Sequence, residues 1–331
     1  MSSKHSNISI FVPHIGCPHQ CSFCNQFSIT GSVKAPVPSD VDEAVNEAVK
    51  SSNYNPKNTE LAFFGGSFTA IDLNYQLSLL EAGYKYIKSG IISGIRISTR
   101  PDAIDDEILM RLTKYGVTAI ELGAQSMCDS VLFANNRGHS AADVVGASLL
   151  IKSYGFSLGL QMMTGLYKDT PENDIYTAEK IIELKPDTVR IYPTIVLKNT
   201  KLAGYIKSGE FLTPTLEDTV ELVSKLLMMF KEADINVIRT GLHTVDETAY
   251  VSGPWHPAFK ELCDSRIIRN KILEYPEGDY ILYVCPSDIS KAIGQKRENI
   301  IFLKEKGYNI CVKGDADIPQ YEIRMCKEKC C

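Results

Sequence analysis

The sequence predicts an α/β fold, a partial (β/α)6 barrel of the TIM type followed by a small α+β module. Six short apolar runs rich in Ile, Val and Phe alternate with longer segments whose apolar residues lie three and four apart. This alternation is typical of parallel strands joined by crossover helices, and six repeats are fewer than the eight of a closed barrel. From about Gly278 the elements become shorter, which indicates a second unit.

The barrel elements follow one another in order along the chain. The predicted strands are Ile8–Val12, Leu61–Phe64, Ile95–Ser98, Ala119–Leu122, Ser157–Met162 and Thr188–Tyr192. The helices predicted between them are Asp40–Lys50, Tyr75–Lys88, Asp105–Tyr115, Ala141–Tyr154 and Glu172–Glu183. Gly and Pro residues follow the strands, at the end where the ligands of parallel barrels bind. A helix over Leu216–Ala233 and a strand over Asn236–Arg239 are expected to extend or flank the barrel.

The remaining elements predict a division into two domains, residues 1–275 and residues 276–331. The second domain is joined through Leu273–Gly278, where Pro276 and Gly278 interrupt regular structure. Its predicted elements are a strand at Tyr280–Cys285, a helix at Ser287–Ile293, a turn at Gly294–Arg297, a helix at Glu298–Lys306 and a strand at Tyr308–Val312.

The composition is that of a globular protein without a membrane anchor. The 331 residues are 44% hydrophobic, and no apolar run approaches the roughly 20 residues that span a bilayer. Met1–Asn7 leads directly into a strand and not into a signal peptide, so a cytoplasmic location is expected. In a reducing compartment the ten cysteines are expected to be ligands or free thiols. The net charge of −5 excludes nonspecific polyanion binding by the whole chain, although nine Lys and Arg against seven Asp and Glu follow from Cys285 onward.

Three cysteines form the most specific motif of the chain. Cys17, Cys21 and Cys24 have the spacing C-x-x-x-C-x-x-C and follow the first predicted strand. Three thiolates can bind three irons of a 4Fe–4S cluster and leave the fourth iron for a reactive ligand. A zinc knuckle or an accidental group of cysteines is the alternative.

Polar residues and glycines follow the next three strands. Gly65, Gly66 and Ser67 allow the backbone to approach a ligand closely, although many strands end on glycine without a ligand. Arg100 follows the third strand, and Glu121–Ser126 spans the end of the fourth. An arginine and amide or hydroxyl groups at a barrel mouth could bind a carboxylate and ribose hydroxyls. The alternative for Arg100 is an ion pair with Asp102 that caps a helix.

These segments together resemble a known enzyme family. The cysteine spacing is that of the radical S-adenosylmethionine (radical SAM) enzymes, and the further motifs run in the order of the radical SAM core of the Elongator catalytic subunit and its bacterial relatives. The motifs are Cys17–Cys24, Gly65–Phe68, Ser98–Asp102, Glu121–Ser126, Asn136–His139, Met162–Leu166 and Arg190–Thr194. The resemblance covers roughly residues 6–260.

The resemblance implies an enzyme with two cofactors, a 4Fe–4S cluster and S-adenosylmethionine. In that family the reduced cluster cleaves S-adenosylmethionine to methionine and a 5′-deoxyadenosyl radical, which takes a hydrogen from the substrate. An electron donor such as a flavodoxin or a ferredoxin is therefore expected. The implied site residues are Cys17, Cys21 and Cys24 for the cluster; Gly65, Gly66 and Ser67 for the methionyl part; Thr99, Arg100, Gln125, Ser126 and Arg137 for the carboxylate and ribose; and Gly165 and Leu166 for the adenine.

The chain departs from the Elongator catalytic subunit in two ways. That protein has a longer gap between its first two cysteines, and an acetyltransferase domain follows its radical SAM core. Too few residues follow the core here for such a domain, and no acetyl-CoA-binding pyrophosphate loop is visible. A shorter relative without the acetyltransferase domain could act on a substrate different from that of Elongator.

The C-terminal module carries a possible RNA-binding motif. Gly294, Gln295, Lys296 and Arg297 lie between two predicted helices and resemble the G-x-x-G loop of KH domains, which clamps a nucleic-acid backbone. Arg297 replaces the last glycine of that loop but keeps a positive charge for phosphate contact. An ordinary turn between two helices is the alternative.

One further loop holds the only tryptophan. Trp255 and His256 lie between Pro254 and Pro257, which restrict the backbone of the loop. His256 could face the barrel mouth as an acid, a base or a substrate contact, and a packed linker is the alternative.

The function expected from these features is reductive cleavage of S-adenosylmethionine for the modification of RNA, either tRNA or rRNA. A radical SAM enzyme that acts on a small metabolite or a tetrapyrrole is one alternative. A non-catalytic iron–sulfur or RNA-binding protein that has kept the fold is another. The polar residues at the strand ends argue against the second alternative.

Overall fold

The computed structural model describes residues 5–13, 20–25, 34–242, 245 and 247–327. Its main feature is one sheet of seven parallel strands that curls into a half-barrel, so the predicted α/β partial barrel is confirmed. In spatial order the strands are β1 (Ser6–Val12), β2 (Thr59–Gly65), β3 (Gly94–Thr99), β4 (Val117–Gln125), β5 (Ser157–Thr164), β6 (Thr188–Pro193) and β8 (Asn236–Thr240).

The sheet has one strand more than the six that the apolar runs predict. Strand β8 pairs in parallel with β6, with Val189 opposite Val237. The strand predicted at Asn236–Arg239 therefore extends the barrel sheet. A separate two-stranded antiparallel ribbon, β7 (Val196–Leu197) with β9 (Tyr250–Ser252), was not predicted because both strands are very short.

Helices connect the strands and cover the outer face of the sheet. They are α1 (Pro38–Val49), α2 (Leu73–Lys88), α3 (Asp106–Lys114), α4 (Asp129–Ala134), α5 (Ala141–Ser153), α6 (Pro171–Leu184), α7 (Lys201–Ser208), α8 (Leu216–Glu232) and α9 (Phe259–Leu273). Side-chain caps fix several helix starts: Asp105 Oδ1 accepts a hydrogen bond from Ile108 N at 2.8 Å, and Thr215 Oγ1 accepts one from Asp218 N at 3.0 Å.

The main core lies between the outer face of the sheet and these helices. Leu61 and Phe63 of β2 and Ile97 of β3 pack with Leu79 and Leu80 of α2, and each is at most 1% exposed. Burial of one such side chain stabilises the fold by about 1.5–3 kcal/mol. The opposite face of the sheet is left to line the inside of the half-barrel.

The C-terminal elements form a second, smaller sheet. Its strands are β10 (Gly278–Val284), β11 (Tyr308–Gly314) and β12 (Ile323–Lys327), and its helices are α10 (Ile289–Ile293) and α11 (Glu298–Glu305). The order is β11-β10-β12, with β10 parallel to β11 and antiparallel to β12. The turn predicted at Gly294–Arg297 joins the two helices.

Helix α9 packs against both parts of the chain. Cys263 and Ile267 belong to the main core, whereas Ile268 and Ile272 share a buried cluster with the C-terminal sheet. This helix was not predicted. Within the described ranges no helix is long and apolar enough to cross a membrane.

Candidate functional site

A concave site lies where the main-sheet strands end, and we call it the mouth site. Parallel strands present their carboxyl ends at one edge of a sheet, so residues distant in sequence meet there. Its lining residues are Cys21, Phe23, Cys24, Gly65, Gly66, Ser67, Ser98, Thr99, Arg100, Gly123, Gln125, Arg137 and Gln161. Two predicted cysteines and seven other predicted residues are thereby brought together, whereas Cys17 lies outside the described residues.

Backbone contacts hold the cysteine segment at this edge. Cys24 N donates to Cys21 O at 3.2 Å, which forms a tight turn. Ser22 N donates to Asn135 O at 3.0 Å, and Leu202 N donates to Ser22 O at 3.0 Å. These bonds tie the segment to the residues after α4 and to helix α7. The thiols are thus positioned by a local turn and by two other elements.

An arginine lies against the first of the two thiols. Arg137 Nη1 is 3.4 Å from Cys21 Sγ, and Arg137 Nη2 donates to Gly123 O at 2.5 Å. Both side chains are buried. The guanidinium is therefore placed to donate a hydrogen bond to this sulfur.

Backbone conformation and close packing explain the glycine at position 65, directly at the end of β2. Gly65 has φ +114°, and a Cβ atom on it would lie 2.4 Å from Val12 O. Gly66 N donates to the same carbonyl oxygen at 2.9 Å. A larger residue at position 65 would push the chain away from the end of β1, and the cysteine segment follows that strand.

The polar residues after β2 and β3 contact one another. Ser67 Oγ and Thr99 Oγ1 are 2.8 Å apart, and Arg100 N donates to Ser67 Oγ at 3.3 Å. Arg100 Nε and Nη2 also donate to the two carboxylate oxygens of Asp102, at 2.9 and 2.7 Å. This is the ion pair that the sequence offered as the alternative to ligand binding by Arg100. Arg100 Nη2 donates to Arg137 O at 2.8 Å as well, so the ion pair holds the arginine in the wall of the mouth site.

Some buried polar atoms of the mouth site have no hydrogen-bond partner among the described residues. They include Ser98 Oγ, Gln125 Oε1 and Arg137 Nε. Buried polar groups in folded proteins are nearly always paired, so such atoms indicate a place where a ligand binds. Gln125 was predicted, whereas Ser98 and Gln161 were not assigned to the site. The alternation of side chains along β3 and β5 is the signal that could have identified them.

Three predicted residues do not line the mouth site. Ser126 Oγ lies 3.3 Å from Thr177 Oγ1 and accepts from Cys128 N at 3.2 Å, so it faces helix α6. Gly165 N donates to Asp174 Oδ2 at 3.1 Å, and Leu166 is buried in the loop after β5.

Two acidic residues behind that loop were not recognised from the sequence. Burial, followed by the charge of Asp169, raises the pKa of Asp174 to about 9. Burial also raises the pKa of Asp169. The pair therefore carries a proton at neutral pH.

Burial also keeps His139 neutral. Its Nε2 is 3.1 Å from Ala124 O, to which it donates. Burial and then the charge of Arg137 lower the pKa of His139 to about 4. The imidazole adds no positive charge beside the arginines of the mouth site.

A network of charged residues fills the inside of the half-barrel below the mouth site. Arg190 binds Glu121 through two hydrogen bonds, at 2.7 and 2.9 Å. Gln161 Nε2 donates to Glu121 at 3.1 Å, and Arg96 lies between Glu121 at 3.4 Å and Glu60 at 3.0 Å. The network connects strands β2 to β6 and fixes Gln161 in the floor of the mouth site.

The C-terminal turn has an unusual backbone. Gly294 has φ +77°, and Lys296 and Arg297 have φ +48° and +65°. Asn299 Nδ2 donates to Ser265 Oγ at 2.9 Å and to Ser265 O at 3.0 Å, which ties the turn to helix α9. Arg297 takes the left-handed conformation that glycine would adopt at the same place.

Two family models match most of the chain. The model described as "Radical SAM superfamily" matches residues 11–181. The model described as "Radical_SAM C-terminal domain" matches residues 186–269. The first match alone covers more than half of the chain and includes the cysteine segment and the glycines of the mouth site.

Curated relatives share part of the sequence. The chain is 25% identical over 238 residues to a tRNA uridine(34) acetyltransferase of Dehalococcoides mccartyi, a match that covers 62% of this chain and 52% of the relative. It is 30% identical over 203 residues to Elongator complex protein 3 of Homo sapiens, which covers 55% of this chain and 37% of the relative. The chain thus spans about half, or less, of the length of these relatives.

A solved structure shares the fold. It is the archaeal Methanocaldococcus infernus Elp3 with an N-terminal deletion, which aligns with a TM-score of 0.65 and 24% identity. The alignment covers 81% of this chain and 64% of that chain. At this identity the likeness concerns the fold.

Proposed function

The chain belongs to the radical SAM superfamily, whose members use a 4Fe–4S cluster and S-adenosylmethionine, and we propose that this enzyme modifies RNA, specifically tRNA. The observation that carries the proposed chemistry is the mouth site, in which two cysteines, the Gly65 turn and two arginines meet. Similarity to proteins named tRNA uridine(34) acetyltransferase supports the proposed substrate.

The residues of the mouth site fit the two cofactors of the family. Cys21 and Cys24 offer thiolates, and the guanidinium of Arg137 already lies beside one of them. Ser98 Oγ and Gln125 Oε1, both buried and unpaired within the described ranges, offer polar contacts that a bound molecule would satisfy. The fit therefore rests on the donor set and on unpaired buried groups.

The proposed contacts follow from these positions. When bound, the reduced cluster supplies the electron that cleaves S-adenosylmethionine to methionine and a 5′-deoxyadenosyl radical. The assignments from the mouth site are Cys21 and Cys24 as iron ligands; Gly65, Gly66 and Ser67 beside the methionyl part; and Thr99, Arg100, Gln125 and Arg137 for the carboxylate and ribose. The family resemblance adds Cys17, which lies outside the described residues, as the third iron ligand, and Gly165 and Leu166, which do not line the mouth site, near the adenine. Ser126 is left out of this set because its hydroxyl bonds to α6.

Two partners complete the proposal. A one-electron donor such as a flavodoxin or a ferredoxin is required because the cleavage consumes an electron. The turn Gly294–Gln295–Lys296–Arg297 contacts the RNA backbone, a role supported by the exposure of both basic residues. The acetyl transfer named for the relatives is not part of this proposal.

The cluster and its chemistry are tested on protein reconstituted anaerobically with iron and sulfide. Wild-type protein is expected to show cluster absorbance and to form 5′-deoxyadenosine from S-adenosylmethionine after reduction. The Cys21→Ala variant is expected to lose both properties, because one iron loses its ligand. Cys311→Ala, which removes a partly buried cysteine of β11, is the matched control and should retain them. Cleavage at the wild-type rate by Cys21→Ala would contradict the ligand assignment.

The RNA substrate is tested in cells. Nucleosides from tRNA and rRNA of cells with and without the protein are compared by mass spectrometry. A modified nucleoside that disappears with the protein, and returns with the wild-type chain but not with Cys21→Ala, is the expected result. Identical nucleosides in both strains, together with cleavage of S-adenosylmethionine in vitro, would retain the enzyme and reject RNA as its substrate.

A further inference from the structure

A cleft of about 640 Å³ lies outside the mouth site, between helices α8 and α9 on one side and the C-terminal turn with α11 on the other. We call it the helical cleft. Its size is in the range of ligand-binding pockets. It is lined by Leu216, Glu217, Val220, His256, Leu262, Ser265, Arg266, Arg269, Gln295, Lys296, Glu298, Asn299, Ile301, Phe302 and Glu305.

The walls of the helical cleft are largely apolar. Leu216 and Val220 come from α8, Leu262 comes from α9, and Ile301 and Phe302 come from α11. Ile301 is 55% exposed, so its side chain is accessible to a ligand in the helical cleft. Apolar walls of this kind accept a flat, uncharged group better than a phosphate.

Arg269 supplies an unsatisfied donor to this apolar surface. Its side chain is only 8% exposed, and its guanidinium carbon lies 4.3 Å from the centre of the Phe302 ring. Nη2 is 3.4 Å from Glu217, while Nε has no partner among the described residues. The neighbouring Arg266 is bound by both Glu217 and Glu221 and is neutralised. Arg269 therefore places a buried guanidinium, stacked on Phe302, in the wall of the helical cleft.

Both signs of charge lie at the rim. Lys296 and Arg297 are exposed on the turn, and within the described part of the chain neither has a carboxylate within salt-bridge distance. Glu298 and Glu305 of α11 also line the helical cleft and are exposed. A phosphodiester backbone would therefore lie along the turn, at the two unpaired basic residues, and its bases would turn toward the apolar walls.

The helical cleft leads toward the barrel mouth. His256, one of its lining residues, also borders a small pocket with Pro193 and Gly241, at the carboxyl ends of β6 and β8. A chain bound along the turn would thus pass close to the open ends of the barrel strands. This relation connects an RNA contact to the edge where the chemistry is proposed.

We propose that the helical cleft binds a single-stranded segment of RNA, with a nucleobase against Ile301 and Phe302 and the backbone at Lys296. This inference deepens the proposed RNA modification and rests on it. Duplex RNA does not fit the same contacts, because its bases are stacked inside the helix and its major groove is too narrow for side chains.

The test uses the full chain and a fluorescein-labelled single-stranded RNA of about ten nucleotides, a length in the range of single-strand binding sites. Fluorescence anisotropy gives the affinity. Ile301→Asp is expected to weaken binding by about tenfold or more, since stacking of one base contributes about 1–3 kcal/mol. Lys296→Glu is expected to weaken binding and to reduce its salt dependence.

Matched controls separate the cleft from general effects. Leu149→Asp places the same charge on an apolar residue that is 60% exposed on α5, and Lys313→Glu reverses an exposed charge on β11. Both controls should bind RNA like the wild type. Thermal unfolding of all four variants confirms that they are folded, which the exposure of the substituted positions leads us to expect.

Crosslinking with RNA that carries 4-thiouridine locates the contact. Crosslinked peptides from residues 259–273 or 295–305 are expected. Crosslinks elsewhere, equal affinity of Ile301→Asp and wild type, or equal affinity for duplex and single strand would overturn the cleft assignment. The proposed function would survive these results as long as a cellular RNA nucleoside still depends on the protein. A peptide that crosslinked to the helical cleft and left RNA binding unchanged would also overturn the assignment, because the RNA would then bind elsewhere.

Discussion

At the scale of single residues, burial decides the charge of the acidic and basic groups near the mouth site. Asp174 is 2% exposed, and one of its oxygens accepts a hydrogen bond from Gly165 N. His139 is also buried, at 7% exposure, and donates to a backbone carbonyl. A protonated carboxyl and a neutral imidazole keep the arginines as the charged groups of this edge.

The Asp174→Asn variant is expected to be more stable than the wild type, by about 1–3 kcal/mol at about pH 8 and by less at about pH 5. The folded-state pKa of Asp174 is raised to about 9, so the folded protein holds a proton that the unfolded chain loses above about pH 4. Wild-type stability therefore falls as the pH rises through this window. Asparagine does not ionise, and its amide can donate to Asp169.

Urea denaturation at both pH values measures this effect. Asp317→Asn, which changes an exposed carboxylate in the same way, is the control and should alter the free energy of unfolding little at either pH. A gain for Asp174→Asn that is the same at both pH values would show that the carboxyl is not held protonated.

The sequence predicted the residues of the mouth site that follow the strands, because the residues after parallel strands gather at one edge of the sheet. Gly65, Arg100 and Gln125 belong to this group. Ser98 and Gln161 escaped notice because they lie within apolar strands, and only the curl of the sheet turns them toward a ligand. Asp169 and Asp174 lie five residues apart at the start of α6, where acidic residues are common, so no local pattern reveals their burial.

At the scale of elements, strands β1 to β6 were predictable because parallel strands covered by helices read as short apolar runs. Helix α9 was not, because Asp264, Arg266 and Arg269 are buried within it and interrupt the apolar period. Arg266 and Arg269 pair with Glu217 of α8, and Asp264 pairs with Lys260 and Lys291, so the helix is apparent only once the fold has formed. Strand β12, a short edge strand with alternating polar residues, was missed as well. The division at residues 275 and 276 stays a prediction.

Substitutions in the C-terminal turn test its backbone. Arg297→Gly is expected to leave the protein as stable as the wild type or more stable by up to about 1 kcal/mol, because Arg297 pays a left-handed conformational penalty that glycine avoids. Gly294→Ala is expected to destabilise by about 1–3 kcal/mol, since its Cβ would lie 2.9 Å from Asn299 N at φ +77°.

Thermal and urea unfolding of the two variants provide the measurement. Gly146→Ala in α5 is the matched control, because a Cβ there meets no atom within 4 Å and helical alanine is favoured over glycine by about 0.5–1 kcal/mol. A loss of stability in Arg297→Gly as large as that of Gly294→Ala would mean that the arginine side chain, and not the backbone, maintains the turn.

At the scale of the whole molecule, the half-barrel differs from a closed barrel in what fills its interior. Closed barrels pack layers of branched apolar side chains there. Here Glu121 of β4, which is 1% exposed, is bound by Arg96 of β3 on one side and by Arg190 of β6 on the other. A charged interior joins the strands without closing the space above them, so the mouth site stays open to a ligand and to a substrate.

The interior network is expected to be essential for stability. Glu121→Ala leaves the buried Arg190 without a carboxylate and Arg96 with Glu60 alone, and removal of one partner from a buried ion pair costs about 3–5 kcal/mol. Glu121→Gln is expected to cost less, because one oxygen still accepts a hydrogen bond from Arg190. Glu322→Gln is the control, since that glutamate is 46% exposed and its pairs with Lys231 and Lys271 should contribute at most about 1 kcal/mol. Urea denaturation ranks the three variants. Equal losses for Glu121→Ala and Glu322→Gln would mean that solvent screens the interior and that the strands are held by their backbone bonds and outer core alone.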